Sequence, residues 1–158
     1  MSEFHYTTYI TSTPQKVWDA ITTAEFTRQY WGHAMVSDWK PGSKWEMINA
    51  QGGVQMTGQV LESRSPSRLV YDWVSPENMS DKSEHSRVTF SIEAIGSVVR
   101  LDVVHDQLRS GSEMALGISK GWPLVISGLK SWLETGKAAD IIAIKSCGSA
   151  QAPQAKVA

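Results

Sequence analysis

Six short segments between residues 33 and 106 alternate apolar and polar side chains, and this pattern constrains the fold more than any other feature. Such alternation is typical of β-strands, in which successive side chains point to opposite faces of a sheet. Glycine and proline mark the connections, which are too short to contain crossover helices, so the strands must pair in an antiparallel sheet. The predicted strands span residues 33–38, 44–49, 54–63, 68–75, 85–94 and 98–106.

Residues 3–12 alternate in the same way and predict one more strand, ahead of two short helices. Thr13 and Pro14 predict a helix start, because threonine caps exposed backbone N–H groups and proline fits the first helical position. Apolar residues then recur on one face of the first helix, and a second short helix is predicted near residues 24–30.

Towards the C-terminal end, residues 121–134 predict a long amphipathic helix with a helical approach from Glu113. Pro123 fits the first turn of a helix that starts near Gly121, or a kink in a longer one. Gly136 supplies the stop, since glycine adopts the left-handed conformation that ends helices. Apolar side chains at steps of three and four form one face: Ile118, Trp122, Val125, Ile126, Leu129, Trp132 and Leu133.

The predicted order is therefore β-α-α-β6-α, an α+β fold in which helices cover one face of an antiparallel sheet. Val70 and Val104 break the alternation, and we interpret them as apolar residues on the solvent face, with a dimer patch as the alternative. The covered face is predicted to carry Met56, Gly58, Val60, Leu69, Tyr71, Trp73, Val88, Phe90, Ile92, Leu101, Val103 and His105.

Charge and cysteine content narrow the classes of partner. Fifteen basic and sixteen acidic residues give a net charge of −1 without runs of like charge, which argues against nucleic acid and membrane surfaces as partners. Cys147 is the only cysteine, so no internal disulfide forms. Without a secretory leader pattern, we expect a cytoplasmic protein.

We expect one domain over residues 1–136 and a partly flexible tail over residues 137–158, in which 138–144 could add a short helical or extended piece.

Several segments, taken in order, resemble one family. They are STPQKVW at 12–18, FTRQYWG at 26–32, SDWKPGSKW at 37–45, RLVYDW at 68–73, GWP at 121–123 and LETG at 133–136. Together they resemble stand-alone bacterial domains related to the activator of heat-shock-protein-90 ATPase, which belong to the SRPBCC or START-like superfamily. The resemblance covers roughly residues 3–136.

The resemblance implies a helix-grip fold, in which a curved antiparallel sheet wraps around the long C-terminal helix and leaves a cavity open at one end. Many superfamily members bind a hydrophobic small molecule there. Some are cyclases, hydrolases or aromatases, and the namesakes dock onto a chaperone. The fold does not decide among these functions.

Seven tryptophans in 158 residues exceed what a core of this size usually contains, and this excess favours an aromatic cavity over plain packing. A pocket of aromatic side chains with few polar groups suits an apolar or aromatic ligand. The predicted ligand-binding residues are Trp45, Met56, Tyr71, Trp73, Phe90, His105, Ile118, Trp122 and Ile126.

Two histidines are candidates for polar chemistry. His33 follows Trp31 and Gly32 in a loop expected near the cavity mouth, although a surface role is the alternative. His105 lies on the same face of its predicted strand as the inward residues Leu101 and Val103. A buried imidazole there needs a hydrogen-bond partner, either a backbone carbonyl or a ligand. No catalytic motif and no metal-ligand spacing occurs in the sequence, so neither a metal nor a cofactor is predicted.

Three functions follow from these observations. The leading hypothesis is the binding of a hydrophobic or aromatic small molecule between sheet and helix. The second is a cyclase- or hydrolase-like enzyme that uses the same cavity, with His105 or His33 as general acid or base and Tyr71 as polar partner. The third is a chaperone-regulating module, ranked last because the namesakes carry an additional N-terminal domain. The sequence is compatible with a monomer or a homodimer, and it identifies neither the ligand nor whether side chains fill the cavity.

Overall fold

The computed structural model describes residues 1–140, and within them seven strands form one antiparallel sheet of order β1-β7-β6-β5-β4-β3-β2. The predicted order β-α-α-β6-α is confirmed. The elements are β1 (Ser2–Ile10), α1 (Pro14–Thr22), α2 (Ala24–Trp31), β2 (Ala34–Val36), β3 (Lys44–Ile48), β4 (Val54–Arg64), β5 (Arg68–Trp73), β6 (Ser86–Ile95), β7 (Val98–Leu108) and α3 (Glu113–Thr135), with 3-10 turns at Pro76–Asn78 and Lys82–Glu84.

The two short helices start and stop where their sequence predicts. The Thr13 hydroxyl accepts a hydrogen bond from the Lys16 N–H at 3.3 Å and caps α1. Gly32 ends α2 in the left-handed conformation, with φ of 82°. The Tyr30 hydroxyl donates to the Ala20 carbonyl at 2.8 Å, which joins the two helices. This corner fixes the position of the α2–β2 loop at one end of the sheet.

The C-terminal helix is a single α-helix of 23 residues, which includes the predicted helix of 121–134 and the predicted helical approach from Glu113. The Ser112 hydroxyl caps it by accepting the N–H of Ala115 at 3.1 Å, and Gly136 ends it at φ of 78°. Pro123 therefore lies inside the helix and not in its first turn, so the interpretation as part of a longer helix is the correct one. The residue that marks the helix start is Ser112, because its hydroxyl accepts one of the backbone N–H groups that the first helical turn leaves unpaired.

The inner face of the sheet packs against α3 as the alternation predicts. Tyr71 of β5 lies opposite Val88 of β6, and Phe90 of β6 lies opposite Val103 of β7, so apolar side chains align across the strands. Trp122, Ile126 and Leu129 of α3 cover them. Met56, near the end of the sheet, is only half-buried. The fold is α+β and of the helix-grip type.

One residue on the outer face differs from its predicted environment. Val70 is only 6% exposed, although its parity places it on the solvent side. Glu62 and Thr89 lie opposite it on the neighbouring strands, and their side chains flank the valine on both sides. Val104 is half-buried on the same face. Val70 therefore contributes no exposed apolar patch, and the interpretation as a solvent-exposed residue was wrong.

Of the predicted tail, only residues 137–140 are described, and Ala138 packs against the core. The expectations for the remaining residues of the tail lie outside the described part of the chain. None of the helices within residues 1–140 has the length and apolar character needed to cross a bilayer.

Candidate functional site

A cavity of about 720 Å³ lies between the first half of α3 and one end of the sheet. Its floor is buried and apolar, and its three indole rings meet at Trp122, whose centroid is 5.4 Å from that of Trp31 and 6.0 Å from that of Trp73. The floor consists of Trp31, Met47, Trp73, Ile118, Trp122 and Val125. A ligand in this cavity would contact aromatic faces and aliphatic side chains, which favours an apolar or aromatic body.

Two glycines of α3 leave the space that becomes the cavity. Gly117 and Gly121 line it one helical turn apart, on the face that also carries Ile118 and Trp122. A Cβ atom added at either glycine would meet nothing within 4 Å. Helix backbone therefore forms part of the cavity wall, and any larger residue at these positions would project into the open volume.

The rim of the cavity is polar and exposed. Three carboxylates and one guanidinium line it, from Glu77, Glu84, Glu113 and Arg109. Arg109 Nη1 lies 2.6 Å from Glu84 Oε1, and these two charges neutralise each other. Within residues 1–140, neither Glu77 nor Glu113 forms an ion pair, so the rim carries a net negative charge. A ligand with an anionic end at the rim would be repelled.

His105 lies under the floor in a closed hydrogen-bond chain. Its Nδ1 accepts the indole N–H of Trp122 at 3.1 Å, so the neutral ring carries its proton on Nε2. Nε2 then donates to the Ser86 hydroxyl at 2.8 Å, and that hydroxyl donates to the Trp73 carbonyl at 3.2 Å. Burial lowers the pKa of His105 to about 4. The imidazole is therefore neutral near pH 7, and it orients Trp122 in the cavity floor.

His85 anchors the loop on the other side of the cavity, a role that the sequence did not suggest. Its Nδ1 lies 2.9 Å from the Asp72 carboxylate and its Nε2 lies 3.0 Å from the Met79 carbonyl oxygen. Both partners only accept hydrogen bonds. A neutral ring, which has a single N–H, can therefore donate to only one of them at a time. The anchored connection, residues 76–84, supplies Glu77 and Glu84 to the rim.

Comparison with known proteins places the chain in a family. A family model described as "Activator of Hsp90 ATPase homolog 1-like protein" matches residues 11–134. The chain belongs to this activator family. The match includes both short helices, strands β2 to β7 and all but the last residue of α3, so the cavity lies entirely within it. A search of curated proteins found no match.

Solved structures share the fold of this activator-family chain. The solution structure of the Aha1 dimer from Colwellia psychrerythraea aligns with a TM-score of 0.74 at 19% identity, covering 87% of this chain and 100% of that chain. A solution structure from Cytophaga hutchinsonii aligns at 0.67 and 26% identity, covering 84% and 94%. A Plasmodium falciparum HSP90 activator aligns at 0.63 and 19% identity, covering 80% and 94%.

The structure brings only part of the predicted site of this activator-family domain to the cavity. Met56, Trp73, Ile118 and Trp122 line it, and so does His33, next to Trp31. The other predicted residues do not line it and are buried in the core: Trp45, Tyr71, Phe90, His105 and Ile126. Parity along a strand predicts which face a residue occupies, but it does not predict how far along the strand the cavity ends.

The three residues of the enzyme hypothesis do not meet. His33 lines the cavity, whereas Tyr71 and His105 lie in the core, and both nitrogens of His105 are occupied by protein groups. Sequence reasoning missed Gly117, Gly121 and the charged rim. The available signal was the pair of glycines four residues apart within an apolar helical face, where helix propensity alone disfavours glycine.

Proposed function

We propose that this activator-family chain binds an apolar or aromatic small molecule in the cavity between α3 and the sheet. The observation that carries the proposal is the floor of three tryptophans under a cavity of about 720 Å³. Ligand pockets of roughly 300–1,000 Å³ enclose most of a drug-sized molecule. Burial of apolar ligand surface against this floor is favourable by about 25 cal/mol per Å².

The rim restricts the charge of the ligand. Glu77 and Glu113 lie at the opening without a basic partner among the described residues. An anionic group there would meet like charges, and a neutral or cationic group would not. We therefore expect neutral aromatic compounds to bind better than fatty acids whose carboxylate lies at the rim.

Native mass spectrometry of freshly purified protein tests the proposal. A bound molecule would appear as a reproducible extra mass that is lost on denaturation, and its mass would identify it. A thermal-shift panel of fatty acids, polyketides and flavonoids would follow, with neutral aromatic compounds expected to raise Tm most. If the protein shows no extra mass and no compound raises Tm, the proposal fails.

A cavity-filling variant sharpens this test. Gly121→Phe adds a ring to the cavity wall at a position where a Cβ meets nothing within 4 Å. We expect it to weaken ligand binding at least about tenfold, because the ring occupies ligand space. Ser119→Phe is the matched control, since Ser119 is exposed on the same helix and does not line the cavity. Equal loss of binding in both variants would contradict the assigned cavity.

A chaperone-regulating role is the second candidate, and it is favoured by the family and by the Plasmodium falciparum neighbour described as an HSP90 activator. Titration of a purified Hsp90 with this chain, read out as binding and as ATPase rate, tests it. Micromolar binding with a raised ATPase rate would support the role. Absence of binding at micromolar concentration would remove it.

A further inference from the structure

The free edge of β1 is long and lacks the features that usually protect the edge of a sheet. Among residues 1–140, β1 pairs with β7 on one side and with no strand on the other. Its nine residues contain no lysine and no proline. Natural sheets protect their edges with such residues or with very short strands, because an open edge recruits other strands. The opposite edge strand, β2, has only three residues.

Helix α3 shows which backbone groups of β1 face the free edge. The Lys130 ammonium donates to the Tyr9 carbonyl, and the Thr11 N–H donates to the Glu134 carboxylate at 2.8 Å. The N–H and C=O groups of successive residues in a strand point to alternate sides. The odd-numbered residues of β1 therefore direct their backbone groups to the free edge.

The ladder between the strands gives the same assignment. The Ile92 N–H donates to the Ser67 carbonyl at 2.8 Å, so even-numbered residues of β6 form their backbone bonds towards β5. Phe90 and its partner Val103 are then not bonded to each other, and Val103 bonds towards β1. Its partner there is Tyr6, so the even-numbered residues of β1 bond to β7. Within residues 1–140, the edge-facing backbone groups of residues 3, 5 and 7 have no hydrogen-bond partner.

The open stretch of this edge is bounded at one end and apolar on one face. It ends before Tyr9, because α3 already binds the Tyr9 carbonyl and the Thr11 N–H. On the inner face of the stretch, Phe4 and Tyr6 are half-buried, with ring centroids 6.5 Å apart and ring planes inclined by 6°. A neighbouring strand would therefore gain backbone partners and cover two aromatic side chains.

We propose that β1 pairs antiparallel with β1 of a second copy of this chain, across a two-fold axis at His5. In this register Glu3 of one copy lies opposite Thr7 of the other, and the two copies of His5 face each other. Each of these pairs exchanges two hydrogen bonds, so every open backbone group has a partner. Ser2 of the second copy lies opposite Thr8, so the pairing ends where α3 begins to cover the edge.

The side chains favour this register over its neighbours. Phe4 of each copy lies opposite Tyr6 of the other, at the closely spaced positions where aromatic pairs stabilise antiparallel strands. A shift by two residues in one direction would place Glu3 opposite Tyr9, whose carbonyl is already bound to Lys130. The opposite shift would place Thr7 opposite a residue outside the strand.

An interface of this kind is self-complementary and closes as a dimer. The partner is therefore a second copy and not an unrelated strand. The two sheets join into one continuous sheet, and the pairing is independent of the proposed small-molecule binding.

Analytical ultracentrifugation of the full chain tests the pairing, and we expect a monomer–dimer equilibrium at micromolar concentration. Thr7→Pro removes an N–H that the ladder to β7 does not use, and proline is tolerated at such edge positions. We expect its dimer Kd to be about tenfold or more above that of Thr7→Ala, because the symmetric pairing loses two hydrogen bonds. Thr7→Ala is the matched control, since it also loses the hydroxyl contact with Asp102 but keeps the N–H. Circular dichroism checks that both variants are folded.

Cross-linking tests the register. His5→Cys and Thr7→Cys are each made with Cys147→Ser, so that each chain has a single thiol. At the two-fold axis the Cα atoms of the two copies lie about 5.5 Å apart, within the range of a disulfide. The two copies of residue 7 lie roughly 14 Å apart along the strands. With oxidised glutathione, His5→Cys should form a disulfide-linked dimer and Thr7→Cys should not. Equal cross-linking of the two variants would overturn the register.

Amide hydrogen exchange on the wild-type protein needs no variant. Exchange at His5 and Thr7 should slow as the protein concentration rises, whereas the Tyr6 amide, bonded to β7, should be protected at all concentrations. A chain that stays monomeric up to millimolar concentration would overturn the proposal. So would a dimer with the same Kd in Thr7→Pro and Thr7→Ala, because it would use another surface. Protection of both amides in the monomer would show that the edge is covered within one chain, which would also overturn it.

Discussion

Gly58, in the middle of β4, is a position where the packing excludes even a methyl group. A Cβ atom there would overlap the carbonyl oxygen and the carboxylate of Asp72 and would lie 2.8 Å from Trp45 Nε1. These atoms already interact, because Trp45 donates to the Asp72 carbonyl at 2.8 Å. The strand therefore needs glycine for close approach, and not for an unusual backbone conformation.

We expect Gly58→Ala to lower the free energy of unfolding by about 2 kcal/mol or more, because the added methyl group forces the strands apart or breaks the Trp45 hydrogen bond. Urea unfolding followed by tryptophan fluorescence measures the change. An unchanged midpoint would mean that the two strands can separate at little cost.

His105 should make stability depend on pH in a defined window. Its pKa is lowered from 6.5 to about 4 in the folded chain, because burial disfavours the charged ring. Above pH 6.5 the ring is neutral in both states and contributes no pH dependence. As pH falls from 6.5 towards 4, the unfolded chain takes up a proton that the folded chain does not, so stability falls, by an amount approaching ~3 kcal/mol.

Urea unfolding at several pH values between 7.5 and about 4.5 measures this loss, and His105→Gln is the control because it removes the titrating ring and retains the other three histidines. The variant should lose less stability than wild type over the same range. Parallel curves for the two proteins would contradict the lowered pKa.

At the scale of elements, two of the three glycines of α3 line the cavity and weaken the helix. Gly117 is exposed and Gly121 is half-buried, and a Cβ at either meets nothing within 4 Å. We expect Gly117→Ala and Gly121→Ala each to raise the free energy of unfolding by roughly 0.5–1 kcal/mol, since alanine loses less backbone entropy in a helix. Thermal unfolding provides the measurement, and destabilisation by either variant would contradict the open space around these two Cα atoms.

The connection of residues 76–84 should depend on His85. This side chain joins the loop to the sheet through the Met79 carbonyl and the Asp72 carboxylate. We expect His85→Ala to raise amide hydrogen exchange of residues 76–84 about tenfold or more, with little change in β6 and β7, because loops with few remaining contacts open locally. His5→Ala is a suitable control, since His5 contacts Asp102 on the exposed side of the sheet. Equal exchange in both variants would argue against the anchor.

For the whole molecule, the sequence predicted the order of elements because side-chain period depends only on local geometry. Two-residue alternation located every strand of the sheet, and three- to four-residue spacing located α3. The predicted helical approach from Glu113 matches the start of α3, although the sequence alone left open whether Pro123 lies in the first turn or inside a longer helix.

The site was less predictable, because a cavity is set by distances between elements. Tyr71 and Trp73 occupy the same face of one strand, yet only Trp73 reaches the cavity. The chain from Trp122 through His105 to Ser86 joins α3, β7 and β6, and no local pattern records it. The pair of glycines at positions 117 and 121 was a local signal of the cavity wall, but the sequence does not show what lies across the cavity from them.

The described core makes a prediction for the domain boundary. Within residues 1–140, the last side chain that packs against the core is Ala138, two residues beyond the glycine that ends α3. We expect a chain truncated after Asp140 to keep the Tm of the full chain within about 2 °C, because it retains the whole described core. This measurement is sensitive enough, since a loss of 1 kcal/mol in unfolding free energy would lower Tm by about 2–4 °C. A Tm lower by more than about 5 °C would show that the later residues stabilise the domain.

The glycines of α3 also bear on how such a protein changes over generations. A glycine codon becomes an alanine codon through one base substitution, and a Cβ atom at position 117 or 121 meets nothing within 4 Å. Single mutations can therefore shrink the cavity step by step while the helix becomes more stable. Under the proposed function, persistence of both glycines in a lineage would record selection for an open cavity, and their loss would be an early genetic sign that this function had been given up.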